Sequence, residues 1–202
     1  NKDRWDEQFA SKGLEMPKTY DDLLNPLYKG EIVMPDPNTS GTAYTMIASL
    51  FQSLGDEKAE KILKGIKANV GQFTINGYTP AQKVGTGEYL IGINFLGDQL
   101  LIKNSGFNIV TTVPKNAGWN IDAISKIKNG PNGDVGKFFI DFCTTKEAAD
   151  ILTNISMGKS TIEDVKPKKG INFSELNIYK NYDFTKASKD REKLMEIWNN
   201  LN

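Results

Sequence analysis

The chain has 202 residues, 39% of them hydrophobic and 25% charged, and its 25 Lys plus Arg balance 25 Asp plus Glu. That balance gives no global field to favour nucleic acid or an acidic membrane, so neither is expected as a partner. Histidine is absent and Cys143 stands alone, which removes Ser-His-Asp and Cys-His catalysis, histidine-containing zinc sites and any internal disulfide.

Arg4 and Arg191 are the only arginines, so an anion site built from several guanidinium forks is hardly available. Helix amides, hydroxyls and asparagine amides are left to hold an anion. No apolar run reaches the length of about 18 residues that a membrane helix needs. The start, Asn1-Lys-Asp-Arg-Trp5, is neither an initiator methionine nor an export signal, and a processed or truncated chain is expected.

In chain order, 14–28 is loop-rich, with Pro17 and Pro26. A strand over 31–34 stops at Pro35 and Pro37. A helix over 42–54 follows, because Ala43, Ile47, Leu50, Phe51 and Leu54 recur on one face. Gly55 closes it, and Asp56 is expected to cap a second helix carrying Ala59, Ile62, Leu63 and Ile66. A strand at 70–74 comes next. Thr79-Pro80 then reads as an N-cap with proline at the first helical position, opening a short helix that ends at Gly85 or Gly87. The pattern continues as a buried strand over 89–95, a helix over 98–103 ended by Gly106, and a strand over 108–113.

Pro114 to Gly118 is a polar break. Beyond it 119–127 reads as extended, and Asn129-Gly-Pro-Asn-Gly133 is a turn cluster. Helices over 134–143 and 146–157 follow, the second opened by a Thr144-x-x-Glu147 box. Cys143 shares a helical face with Phe139 and Phe142, which predicts a packed thiol. A charged loop at 160–169 precedes a final helix with the stripe Leu194, Ile197, Trp198 and Leu201. Alternating strands and helices make the chain α/β.

Among candidate chemistries, Gly85-Thr-Gly87 precedes a strand where a dinucleotide loop must follow one, and it lacks the third glycine. The acid pairs Asp21 with Asp22 and Glu163 with Asp164, and the lysines over 58–67 and 166–169, read as solvated surface. The anion signal, by contrast, repeats. Ser40, Gly41 and Thr42 stand where a strand gives way to a helix, and the first N–H groups of that helix lack intrahelical partners. The ordinary alternative there is a plain Ser or Thr cap. Asn76, Tyr78 and Thr79 mark a second helix start, and Asn94 ends a strand. Ligands of open α/β sheets sit outside the carboxyl ends of strands. Trp119 and Asn120 stand near the change of domain at Pro114, where a packed hinge and a ligand contact are equally good readings.

Five phrases occur in one order: 17–37 (PKTYDDLLNPLYKGEIVMPDP), Ser40-Gly-Thr42, Gly87-Glu-Tyr-Leu-Ile-Gly-Ile93, Phe139-Ile-Asp-Phe142 with Lys146-Glu-Ala148, and Asp183-Phe184 through Arg191 to Trp198. In this the chain resembles the bacterial extracytoplasmic solute-binding proteins of ABC importers, in the type II branch that takes ferric ion or organophosphates. The resemblance covers nearly the whole chain and implies the C-terminal two-thirds of such a protein. The fold is then type II periplasmic-binding-protein-like, one complete lobe plus part of a second. It implies 1–113 as the main part of the C-terminal lobe, 114–175 as a partial N-terminal lobe, and 176–202 as a helix returning to the first.

The implied function is capture of a small anionic solute, phosphonate or phosphate ester, between two lobes and its delivery to a membrane permease, with no cofactor and no catalysis. Location would be extracytoplasmic, in the periplasm or as a lipoprotein on the outer face of the cytoplasmic membrane. Iron-binding members place paired tyrosines where this chain has Phe95, Leu96, Gly97 and Asp98, so ferric ion with a synergistic anion is the alternative rather than the first reading. Asp98 is expected to meet a cationic end of the solute. A fold-related enzyme, a sensor domain, and self-association through the incomplete lobe are the competing classes.

Overall fold

A computed structural model describes residues 1–165 and 172–201; the lysine cluster at 166–169 lies outside the described residues. By contacts the chain divides into a larger unit, Asn1–Trp119 with Leu176–Asn202, and a smaller one, Asn120–Glu175.

The larger unit is built on a three-stranded parallel sheet of order β2-β1-β3, with β1 Ile32–Pro35, β2 Val70–Thr74 and β3 Ile91–Gly92. All four residues of β1 are buried, as expected of a central parallel strand covered on both faces. Side chains alternate across it. Ile32 and Met34 join one core cluster with the helices α2 (Gly41–Leu54) and α3 (Asp56–Asn69). Val33 joins another with α4 (Thr79–Gly85) and α5 (Leu96–Asn104). The chain leaves β1 toward β2 and returns past β1 to β3. Right-handed crossovers in opposite directions place their helices on opposite faces, and the two clusters show that division.

Register in the β1–β2 pair slips between Ile32 and Val33: Ile32 faces Val70 and Val33 faces Gln72, leaving Gly71 as the extra residue. A Cβ at Gly71 would stand 2.3 Å from the Gly30 carbonyl oxygen, so only glycine fits there. Nine consecutive residues of α2, 43 to 51, are buried, which marks an interior helix. By contrast, α3 buries one stripe, Ala59, Ile62, Leu63 and Ile66, under a charged outer face. The stripe of α8 (Phe184–Asn200), Ala187, Leu194 and Trp198, closes over it. A short first helix, α1 (Lys2–Gln8), buries Trp5, which stacks on Phe9 at 6.0 Å.

Several expectations are corrected. The N-cap of α3 is Gly55, with Asp56 already helical. The 89–95 strand shrinks to Ile91–Gly92, because only Ile32 and Val33 of the short β1 pair with it. No strand forms at 108–113, which has no neighbour to pair with among the described residues.

The smaller unit contains α6 (Val135–Cys143) and α7 (Lys146–Ser156). Thr145, not Thr144, caps α7, its hydroxyl accepting from the Ala148 N–H at 3.2 Å. Residues 119–127 carry no regular structure. No residue of α6 is buried, and Cys143 is partly exposed rather than packed, since few residues of this unit are buried at all.

Candidate functional site

Three loops leave the carboxyl edge of the parallel sheet, one after each strand. The first runs from Pro35 to α2. The Asp36 N–H donates to the Thr74 carbonyl at 2.8 Å, extending the ladder by one rung. The Asp36 carbonyl then accepts from the N–H groups of Thr39 (3.1 Å) and Ser40 (2.8 Å), and its carboxylate accepts from the Asn38 N–H (2.9 Å). This Asx-type turn delivers the chain to the helix with the Thr39 hydroxyl already used on the Asp36 and Ile75 carbonyls.

Ser40 is the N-cap of α2 and is extended (φ −116°, ψ 121°), but its hydroxyl caps no N–H of its own helix. The plain-cap reading therefore does not hold at Ser40. The N–H groups of Gly41, Thr42 and Ala43 have no hydrogen-bond partner among the described residues. No acidic side chain sits in the first turn. Three free amides, the positive end of a fourteen-residue helix and the hydroxyls of Ser40 and Thr42 thus share one place. A Cβ built on Gly41 would meet nothing within 4 Å, so the approach over it is open.

The second loop follows β2. Asn76 Oδ1 accepts from Tyr78 N–H (3.1 Å), Thr79 N–H (3.0 Å) and Thr79 Oγ1–H (2.9 Å). Asn76 therefore does the work expected of Thr79, which is the first residue of α4 rather than its cap. The hydroxyl of Thr79 is committed to Asn76, and Tyr78 remains 39% exposed. The loop lies against the first turn of α2: a Cβ on Gly77 would stand 2.4 Å from Thr42 Oγ1. The Asn76–Gly77 turn, to which Tyr78 and Thr79 are tied, is thereby brought beside Thr42.

The third loop follows β3, whose ladder continues with Ile93 N–H to the Val33 carbonyl at 3.0 Å. Gln99 Nε2 donates to Asn94 Oδ1 (3.2 Å) and to the Asn94 carbonyl (3.3 Å), while Asn94 Nδ2 is buried without a partner among the described residues. Asp98 lies in the first turn of α5 and has no ion pair among the described residues. Burial holds its carboxyl above the usual carboxylate range.

Trp119 and Asn120 belong to none of these three loops. The Trp119 indole N–H donates to the Tyr179 carbonyl at 3.0 Å, and its ring meets Phe184 edge-to-face at 5.0 Å. That is a packing arrangement inside the larger unit. Asn120 belongs to the smaller unit, is exposed, and accepts from its neighbour's N–H, Ile121, at 2.9 Å.

Gln99 and Asp36 shape the loops and were not singled out from the sequence. Asp36-Pro-Asn38 carries an Asx-turn signal that could have found the second; nothing local marks Gln99. The three loops from 36 to 44, 75 to 80 and 93 to 99 contain no lysine or arginine, so every donor there is neutral. Among the described residues no group of three or more His, Cys, Asp or Glu could hold a metal ion, and no helix is long and apolar enough to cross a membrane.

Comparison with known proteins places this architecture. The pattern of the bacterial extracellular solute-binding protein family matches residues 1–198. A Haemophilus influenzae protein, described only as uncharacterized, is 33% identical over 198 residues, 95% of this chain and 57% of its own length. The phosphoglycerate transport regulatory protein PgtC of Salmonella typhimurium is 25% identical over 150 residues, 74% of this chain and 38% of the relative.

Among solved structures, the periplasmic binding protein AfuA from Actinobacillus pleuropneumoniae, with exogenous fructose-6-phosphate bound, superposes with a TM-score of 0.84. It is 33% identical, over 98% of this chain and 63% of AfuA. The ferric binding protein from Campylobacter jejuni has a TM-score of 0.64 at 17% identity, over 95% of this chain and 66% of its own, and shares the fold. The chain thus spans less than two thirds of the length of AfuA and of the Haemophilus relative. Its fold is that of the type II periplasmic binding proteins, with coverage that fits one lobe and part of another, and the family is one of binding proteins rather than enzymes. With residues 1–198 matched, the chain belongs to the bacterial extracellular solute-binding proteins.

Proposed function

We propose that this chain is part of the extracytoplasmic solute-binding component of an ABC importer, and that its solute is a small organic molecule carrying a phosphoryl or phosphonyl group. The observation that carries the reading is the first turn of α2, with three unpartnered amides, an uncapped positive end and the Asn76–Gly77 loop laid against it. Such a place accepts an anion through directed N–H groups. AfuA, with a sugar phosphate in its structure, and PgtC, named for phosphoglycerate transport, point to a phosphate ester as the solute class.

On this reading the larger unit is one lobe and the smaller unit part of a second. A protein of the relatives' full length would close over the solute by hinge motion and hand it to a membrane permease. Ser40, Gly41, Thr42 and Asn76 hold the anion, while Tyr78, Asn94 and Asp98 address the rest of the solute. Thr79 acts through Asn76.

The test is thermal unfolding against a panel of sugar phosphates, phosphonates and ferric citrate. A ligand at about 100 times its Kd adds about 2.7 kcal/mol of stability, a plainly visible rise in midpoint. A rise with a phosphoryl compound is expected. The Gly41→Val variant is expected to keep its own midpoint, since the added Cβ meets nothing, and to lose the ligand-induced rise because its branches fill the approach to the amides. A rise with ferric citrate alone, or an undiminished phosphoryl response in Gly41→Val, would overturn the assignment.

A further inference from the structure

The sequence holds three Asn-Gly pairs, Asn76-Gly77, Asn129-Gly130 and Asn132-Gly133. Such pairs can modify themselves. The glycine backbone nitrogen attacks the asparagine side-chain carbonyl carbon, Cγ. A bond forms between that nitrogen and Cγ, the Cγ–Nδ2 bond breaks, and ammonia leaves with the proton that the backbone nitrogen gives up. Water then opens the resulting succinimide to aspartate or isoaspartate. Glycine favours the step because no Cβ crowds the approach.

The three pairs meet the requirements unequally. At Asn129 the attacking nitrogen is engaged: Gly130 N–H donates to the Ile127 carbonyl at 3.0 Å. At Asn76 the side chain is engaged, with three donors on Oδ1 at 2.9 to 3.1 Å. Those donors also polarise the carbonyl, which by itself assists attack. Ring closure, however, needs the Gly77 peptide to swing toward Cγ, and that peptide is packed on Thr42, with 2.4 Å between Oγ1 and a notional Cβ. Position therefore outweighs polarisation.

Asn132 is exposed, its side chain has no hydrogen bond among the described residues, and Gly133 N–H is likewise without a partner there. Only the Asn132 backbone carbonyl is engaged among the described residues, accepting from the Val135 N–H at 3.0 Å. We infer that Asn132 is the deamidation site of the folded chain, with Asn129 held back by the engaged nitrogen of Gly130 and Asn76 held back by the packing of the Gly77 peptide on Thr42. One consequence rests on the proposed function: an amide donor of the anion seat is kept from turning into a carboxylate. The protection itself does not depend on that reading.

The experiment is incubation of the folded chain in mildly alkaline buffer, with a parallel sample in denaturant, followed by peptide mass spectrometry of all three pairs. In denaturant all three are expected to gain the one mass unit of deamidation at similar rates. In the folded chain Asn132 should keep its denatured rate. Asn76 and Asn129 should fall behind it by at least about tenfold, the factor that one or two ordinary hydrogen bonds impose. Folded rates for either that lie within about twofold of Asn132 would overturn the inference. Thr42→Ala removes the side-chain atoms against which the Gly77 peptide is packed. Given an unchanged circular dichroism spectrum, a faster Asn76 supports protection by packing, and an unchanged rate refutes it.

Discussion

Asp98 shows that a single half-buried carboxylate can work against the fold. A carboxylate in the first turn of a helix normally gains from the dipole, yet burial pushes the Asp98 carboxyl up from its ordinary value of 3.8. Desolvation therefore outweighs the dipole. With its folded pKa raised, the native state holds the proton more tightly than the unfolded chain. The native state is favoured below the ordinary value, and that advantage is lost as pH rises through the folded pKa. Asp98→Asn, which stays neutral throughout, is expected to raise the thermal midpoint at neutral pH and to leave it unchanged in acid below both values. Equal midpoints of variant and parent at neutral pH would show that the carboxylate carries no such cost. A residue kept against stability, on a polar sheet edge, is where ligand contacts are sought. At this scale the sequence showed what is local. Ser40-Gly41-Thr42 and Asn76-Gly77 announce themselves because strand-to-helix turns need such residues. Gln99 stayed hidden because a helical glutamine looks the same whether it faces water or clasps Asn94. Asn69, whose buried amide binds the Leu23 and Asn25 carbonyls at 2.8 and 2.9 Å, was hidden for a similar reason: its partners lie some forty residues away.

Elements were legible where their own periodicity sufficed and illegible where a partner decided. The helix α2 matches its expected span within a residue, α3 encloses its apolar stripe, and β1 and β2 fall where the apolar runs are. The runs at 89–95 and 108–113 have strand-like composition, but a strand exists only against a neighbour, and β1 offers its third-strand pairing at two positions. Caps misled for a subtler reason. Thr79 and Thr144 each have an adjacent competitor, Asn76 reaching forward and Thr145 one residue closer, and geometry rather than propensity chose between them. The end of α8 depends on an element far away in sequence. Lys67 of α3 donates to the carbonyls of Trp198 (2.9 Å), Asn199 (3.4 Å) and Leu201 (2.7 Å), with its ammonium 5.2 Å from the Trp198 ring centroid. It satisfies carbonyls that a helix end leaves orphaned and places a cation at the negative pole. Lys67→Met keeps an unbranched apolar stem over the tryptophan and removes only the donors. It is expected to cost roughly 1 kcal/mol, read as a lowered urea midpoint with an unchanged slope. No loss would mean that water replaces the ammonium without penalty.

At the scale of the molecule, the two units differ in what holds them. The larger has a continuous core around β1, α2, α3 and α8. In the smaller, α6 and α7 are nine and eleven residues long, shorter than the roughly 12–15 that even favourable sequences need to be helical alone in water. Their apolar residues give little support: Phe138 is 71% exposed, Val135 70%, Ile155 64% and Phe139 59%. The Thr145 cap adds about 1 kcal/mol, which does not make up for a missing core. An apolar face of this kind is covered in a working protein, and over a third of the length of AfuA and of the Haemophilus relative lies outside the matched part. Hydrogen exchange of the 202-residue chain should therefore separate the units. Amides of β1, α2 and α3 are expected to open only with global unfolding. Those of α6 and α7 should exchange at least about a hundredfold faster, since local opening there exposes almost nothing new. The measurement needs two protein concentrations. Fast exchange of α6 and α7 at both means that neither this chain nor a second copy of it covers the face. Protection that grows with concentration means that copies cover one another, which is the behaviour expected of an incomplete lobe pairing with itself. Protection equal to that of α2 at the lowest concentration would show that the smaller unit is stable without any cover, and that its exposed phenylalanines mark no missing partner.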